Sequence, residues 1–161
     1  MIATVVCAPH AWDAARPSVF LAGSIEMGTA SRWQDAVIAS LADWPGTLLN
    51  PRRPDWDASW RQSIDDPRFR EQVEWELDGL ERASHVAMYF DPATRALVTL
   101  CELGLVARSS RLIVACPDGY CRKGNVEVVC ARHGVPLVAD LDALVAALRA
   151  RLGLGERTAT T

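Results

Sequence analysis

Five short segments of this chain are apolar almost from end to end, and a stretch long enough for a helix follows each of them. The segments are SVFLAG (18–23), TLLN (47–50), HVAMYF (85–90), LIVAC (112–116) and VPLVA (135–139). A strand that is apolar on both faces must be covered on both faces, and strands joined by helices run parallel. This pattern predicts an α/β sandwich: a mostly parallel five-stranded sheet between two helical layers. A further strand at 4–7 is open. The helices are expected at about 31–41, with Ser31 as cap, and at 67–83, where Pro67 suits a first helical position. Three more are expected to end near 109, to run from about 124 to 132, and to follow an Asp140 cap to about 152.

In such sheets ligands bind beyond the carboxyl ends of the strands, at the switch point of the strand order. The loops at those ends are Gly23-Ser24-Ile25-Glu26, Arg52-Arg53-Pro54-Asp55-Trp56-Asp57, Asp91-Pro92 and Pro117-Asp118-Gly119-Tyr120. They are polar and carry aromatic residues, as a ligand rim does.

One residue breaks the apolar pattern. In LCELGLVA (100–107) a carboxylate stands within a run that is otherwise apolar. A buried charge costs several kcal/mol unless it is paired or used. Glu102 therefore points to water, has a partner, or does chemistry. If Thr99 caps the helix, Thr99 and Glu102 form a capping box; if Thr94 caps it, Glu102 lies two turns in. Gly104 beside it leaves room for a ligand or another backbone.

A second carboxylate, Glu76, is also oddly placed. At 100° per residue Phe69, Val73, Leu77 and Leu80 form an apolar stripe, and Glu76 sits about 60° from its centre. It is either a boundary residue paired to an arginine or a functional acid. Two carboxylates that converge at strand ends suit glycosidic chemistry, one attacking the anomeric carbon and the other managing protons or hydroxyls.

Composition excludes several classes. The chain has 161 residues, which sets the expectation of one domain over 1–154, with 155–161 a disordered tail. The net charge of −3 favours neither nucleic acid nor an anionic membrane as partner. Without a basic leader or a spanning apolar run, the expected location is the cytoplasm. Five cysteines without C-x-x-C spacing read as free buried thiols, and three scattered histidines give no zinc spacing, so no metal is expected.

Six pieces in order carry a resemblance. They are FLAGSIE (20–26), NPRRPDWD (50–57), REQVEWEL (70–77), MYFDP (88–92), ELG (102–104) and RKGNVE (122–127). In these the chain resembles the nucleoside 2-deoxyribosyltransferases, more narrowly their nucleoside 2-deoxyribosyltransferase-like branch, over about residues 18–140. The resemblance implies a flavodoxin-like (Rossmann-like) three-layer fold, a homo-oligomer with shared active sites, a nucleoside or nucleotide substrate, and no cofactor. It implies a double displacement with Glu102 as nucleophile, Glu76 as the acid that orients it and binds sugar hydroxyls, and Asn125 reaching a neighbouring subunit's sugar. Where the best-known transferases carry a base-side aspartate, this chain has Ala96. Asp91 or Asp57 is then the expected proton donor, with Asp55 in the same loop. Gly23 and Ser24 are expected to meet the sugar or a phosphate through backbone N–H groups. Trp56, and Trp60 with it, either stack on the base or pack. Arg53, with Arg52, contacts base or phosphate or else lies on a solvated loop. The alternatives are a nucleoside 5′-monophosphate N-glycosidase and a non-catalytic nucleotide-binding module.

Overall fold

The computed structural model describes residues 2–26 and 30–155. The expected tail lies, apart from Gly155, outside the described residues. The described residues form six strands and five helices, alternating from β2 onward: β1 (Thr4–Cys7), β2 (Ser18–Gly23), α1 (Trp33–Ser40), β3 (Thr47–Asn50), α2 (Pro67–Arg82), β4 (His85–Tyr89), α3 (Leu97–Val106), β5 (Leu112–Ala115), α4 (Lys123–His133), β6 (Leu137–Val138) and α5 (Leu141–Arg151). The sheet order is β1-β3-β2-β4-β5-β6, and every pairing is parallel. From β2 onward this is the flavodoxin-like order, with β1 added beside β3. The sheet has six strands where five were expected. The sixth is the edge strand β1, partly exposed with Val5 open to solvent, so it never needed the doubly apolar pattern that marks the others.

Alternation along the strands builds two cores. Phe20, Ala22, Val86, Met88, Leu112 and Val114 face one side and meet Trp75 and Leu80 of α2, Leu103 and Val106 of α3, and Val126 and Cys130 of α4. Val19, Leu21, Ala87, Tyr89, Ile113 and Ala115 face the other and meet Trp33 and Val37 of α1 and Leu144 and Leu148 of α5. Three layers result.

Helix ends follow the expected chemistry in two places and depart from it in two. Asp66 caps α2 through the Arg68 N–H ahead of Pro67, and Asp140 caps α5 through the Ala143 N–H. Ser31 does not cap α1: its N–H and Oγ both donate to Asp91 Oδ2 at 2.8 Å, and the cap position falls to Arg32. Neither Thr94 nor Thr99 caps α3, whose N-cap is Ala96 in the left-handed region (φ 47°). The capping-box reading of Glu102 is therefore replaced.

Two faces also differ from the periodicity. The buried side of α2 is Gln72, Trp75, Gly79 and Leu80 rather than the stripe through Leu77. A Cβ on Gly79 would lie 2.5 Å from Phe20 Cδ2, so the glycine lets the helix sit on that ring. Helix α3 is apolar all round but buried on one side only: Thr99, Glu102, Leu103 and Val106 face inward, while Leu97, Val98, Cys101 and Leu105 are exposed. Gly104 lies on that outer side with open space above it. Of the five free cysteines only Cys116 and Cys130 are buried. Among the described residues no helix is long and apolar enough to cross a membrane.

Candidate active site

Strands β2 and β4 are neighbours, yet their outgoing connections lead to opposite ends of the sheet, through β3 one way and β5 the other. Their carboxyl ends therefore diverge and leave a crevice. A cleft of about 1010 Å³ opens there, walled by the ends of β2 and β3, the loop after β3, one side of α2 and the first turns of α3. Its floor begins at Gly23, whose φ of +142° and contact with β4 admit no side chain: a Cβ would strike the Tyr89 backbone.

Glu102 and Glu76 both line this cleft, one from α3 and one from α2. Glu102 is 8% exposed, and it stands on the inward face of its helix, between Thr99 and Val106. Burial pushes its carboxyl up to about 8, and the nearby Glu76 charge adds to the effect. Burial likewise pushes Glu76 up to about 7, partly opposed by a hydrogen bond from Gln72 Nε2 to Glu76 Oε1 at 2.8 Å. No arginine forms an ion pair with either among the described residues. The boundary reading of Glu76, a surface acid paired to an arginine, is replaced by a carboxyl coupled to a second carboxyl. Near neutral pH the two hold part of their proton complement, and their titrations belong to the pair.

The entry to α3 is held by long-range hydrogen bonds. Glu26 Oε1 accepts from the N–H groups of both Arg95 and Ala96, at 2.7 and 2.8 Å. Ser24 Oγ accepts from the Asp91 N–H and from Thr94 Oγ1, and Tyr120 Oη donates to the Arg95 carbonyl. Glu26 thus supplies the N-terminal capping that the local sequence lacks. Glu26 stands in the FLAGSIE segment with no local mark of this role, because a cap from seventy positions away leaves no local signature. Ala96 lines the cleft, so the position does face the site, and it brings no acid there.

The other sequence-predicted residues divide. Gly23, Ser24, Arg53 and Trp56 line the cleft. The Ser24 N–H is bound to the Tyr89 carbonyl at 3.0 Å, however, so it is not open to a ligand. Arg53 is clamped by Asp55 and Glu71, at 2.7 and 3.0 Å, and stacks 4.9 Å over Trp60, which packs edge-on against Trp56. Arg52 reaches Gln34 Oε1 and the carbonyls of Ala30 and Ser31. Both arginines therefore order the loop after β3, and neither is a freely solvated side chain. Asp91, Asp55, Asp57, Trp60 and Asn125 do not line the cleft. Burial opposes ionisation of Asp91, but hydrogen bonds from Ala93 and Ser31 outweigh it and hold the carboxyl below the usual range. Asp57 is held low by the Ser59 N–H. Carboxyls stabilised as anions are poor proton donors. Asn125 is exposed in the first turn of α4.

Fold and cleft together define a doubly wound α/β domain with a coupled carboxyl pair at its switch point. The family model described as nucleoside 2-deoxyribosyltransferase like matches residues 16–120, and the chain belongs to that family. No curated protein matches the chain.

Proposed function

We propose that the protein cleaves the N-glycosidic bond of a nucleoside and transfers the sugar, a 2-deoxyribosyl group, to a second base by double displacement. The observation that carries this reading is the pair itself: two carboxyls from different helices, Glu102 buried and Glu76 half-buried, share one cleft with no ion pair to either among the described residues, in a chain of this family. The ionised Glu102 attacks the anomeric carbon. The carbon–nitrogen bond breaks as the carbon–oxygen bond forms, through a transition state of oxocarbenium character. The departing nitrogen takes a proton from water in the open cleft, because Asp91 and Asp57 are held as anions away from it. An N–H nitrogen of the second base then attacks the anomeric carbon, its proton passing to the hydroxide left in the cleft by the first step, and the carbon–oxygen bond to Glu102 breaks to restore the carboxylate. Glu76, fixed by Gln72, orients Glu102 and a sugar hydroxyl.

A second reading, hydrolysis of a nucleoside 5′-monophosphate, is supported by Arg52, which lines the same cleft and whose hydrogen bonds go to the neutral oxygens of Gln34, Ala30 and Ser31 rather than to a carboxylate. In that reaction water takes the place of the second base.

The outward side of α3 supports a homo-oligomer. Leu97 and Val98 are each 67% exposed and line the cleft mouth, and the exposed Leu105 extends the same apolar surface. A second copy seated there covers this surface and borders the site.

Incubation with a nucleoside, its 5′-monophosphate and a second free base, followed by chromatography, tests the function. A new nucleoside indicates transfer, and free sugar or sugar phosphate alone indicates hydrolysis. Binding without turnover across the panel contradicts both.

A further inference from the structure

Gln72 is 4% exposed, stands on the cleft wall, and has one of the few buried polar side-chain atoms without a hydrogen-bond partner among the described residues, its Oε1. The orientation of its amide is fixed by chemistry. Nε2 donates to the Pro51 carbonyl at 2.9 Å and to Glu76 Oε1 at 2.8 Å. A carbonyl oxygen can only accept, so turning the amide over would set oxygen against oxygen. Oε1 is therefore committed as an acceptor with nothing to accept from. Folds rarely keep such a group without a use for it.

Whatever satisfies it must donate. Glu76, one turn along the same helix, offers acceptor oxygens to the same region when ionised. The ligand group that suits adjacent acceptors is a hydroxyl or an amine. In the proposed reaction the group held beside Glu76 is the sugar of a nucleoside, which offers hydroxyls and no amine, and this leaves a hydroxyl.

We propose that Gln72 is a specificity-determining residue whose Oε1 accepts a hydrogen bond from a hydroxyl of the bound sugar, next to Glu76. This rests on the proposed function and goes beyond it, because it makes recognition of that hydroxyl a property of the α2 wall as well as of the carboxyl pair.

The test pairs variants with analogues. Gln72→Met removes the amide, and Gln72→Asn withdraws it by one methylene. Each is checked for folding by thermal melting, and kcat/KM is measured for a nucleoside that the parent cleaves and for its analogues lacking one hydroxyl at a time. The expected result is that one analogue is used about ten-fold less well than the intact nucleoside by the parent, and that the variants narrow this factor for that analogue alone. Variants that lose the same factor on every substrate show a merely structural residue and overturn the inference. Equal use of all analogues by the parent overturns it with no variant needed. A parent that turns over no nucleoside overturns the proposed function, and the inference with it.

Discussion

The Glu26 carboxylate bridges to the Ala96 N–H at 2.8 Å, and with the Arg95 N–H it closes the open start of the helix that carries Glu102. Ala96 is held there in the left-handed region, which a residue with a Cβ adopts at a cost. The position of Glu102 thus depends on a residue from the loop after β2. Glu26→Ala is expected to lower stability by about 1–2 kcal/mol, the usual cost of a lost cap. It is also expected to lower kcat more than it raises KM, since it loosens the nucleophile's helix. Glu26→Gln, which keeps an acceptor, should retain most of both. Denaturant melts alongside steady-state kinetics check this; an unchanged kcat for Glu26→Ala would contradict it.

The carboxyl pair links stability to pH. Both groups ionise near 4.5 when unfolded and are raised in the fold, to about 7 and about 8. Between these values the folded state holds more protons than the unfolded one, so stability falls as pH rises. The stabilisation is complete below about 4.5 and is lost on passing 7 to 8. Glu102→Gln and Glu76→Gln should therefore be more stable than the parent at pH 8.5, by an amount on the order of 1–3 kcal/mol, with the gain disappearing near pH 4.5. Melting temperatures across that range measure it.

Activity should respond in the opposite sense. Glu102 attacks only as a carboxylate, so the rate falls as pH drops below the pair's ionisation, near neutrality rather than near 4.5. Burial is the main cause of the shift and the Glu76 charge the lesser one. Glu76→Gln removes the lesser cause and is expected to move the acid limb of kcat/KM to lower pH, while lowering its height. A limb that stays in place would show that the two carboxyls do not interact.

Leu105 is 62% exposed on the outward side of α3 and does not line the cleft. Leu105→Glu should reduce the mass measured by light scattering to that of a single chain, with melting still cooperative. A parent that is itself monomeric would remove the oligomer from the account.

Most of the fold was legible in the sequence because a parallel sheet imposes a strong pattern. Segments 18–23, 47–50, 85–90 and 112–116 must be apolar on both faces, and each is a strand within a residue at its end. Edge strands carry less of that constraint, so β1 was open in the sequence and β6 is shorter than 135–139 suggested. The site was legible as two misplaced acids, Glu76 and Glu102, since charge within apolar surroundings is itself a local signal. The residues that hold them were not. Glu26 acts from a distant turn, Gln72 shows its orphan oxygen only in three dimensions, and the exposure of Leu97 and Leu105 depends on which side of α3 meets the sheet. Periodicity also misplaced the buried face of α2, because Gly79 carries no apolar weight yet lies against the Phe20 ring with no room for a side chain.

If Glu102 supplies the carboxylate oxygen that attacks the anomeric carbon to form the sugar ester, base release by Glu102→Ala tests this most directly. With the variant's melt and circular dichroism matching a folded parent, release of free base from the parent's best nucleoside should fall by at least about a thousand-fold, as expected for loss of a covalent nucleophile. Release of base at the parent's rate would contradict the account.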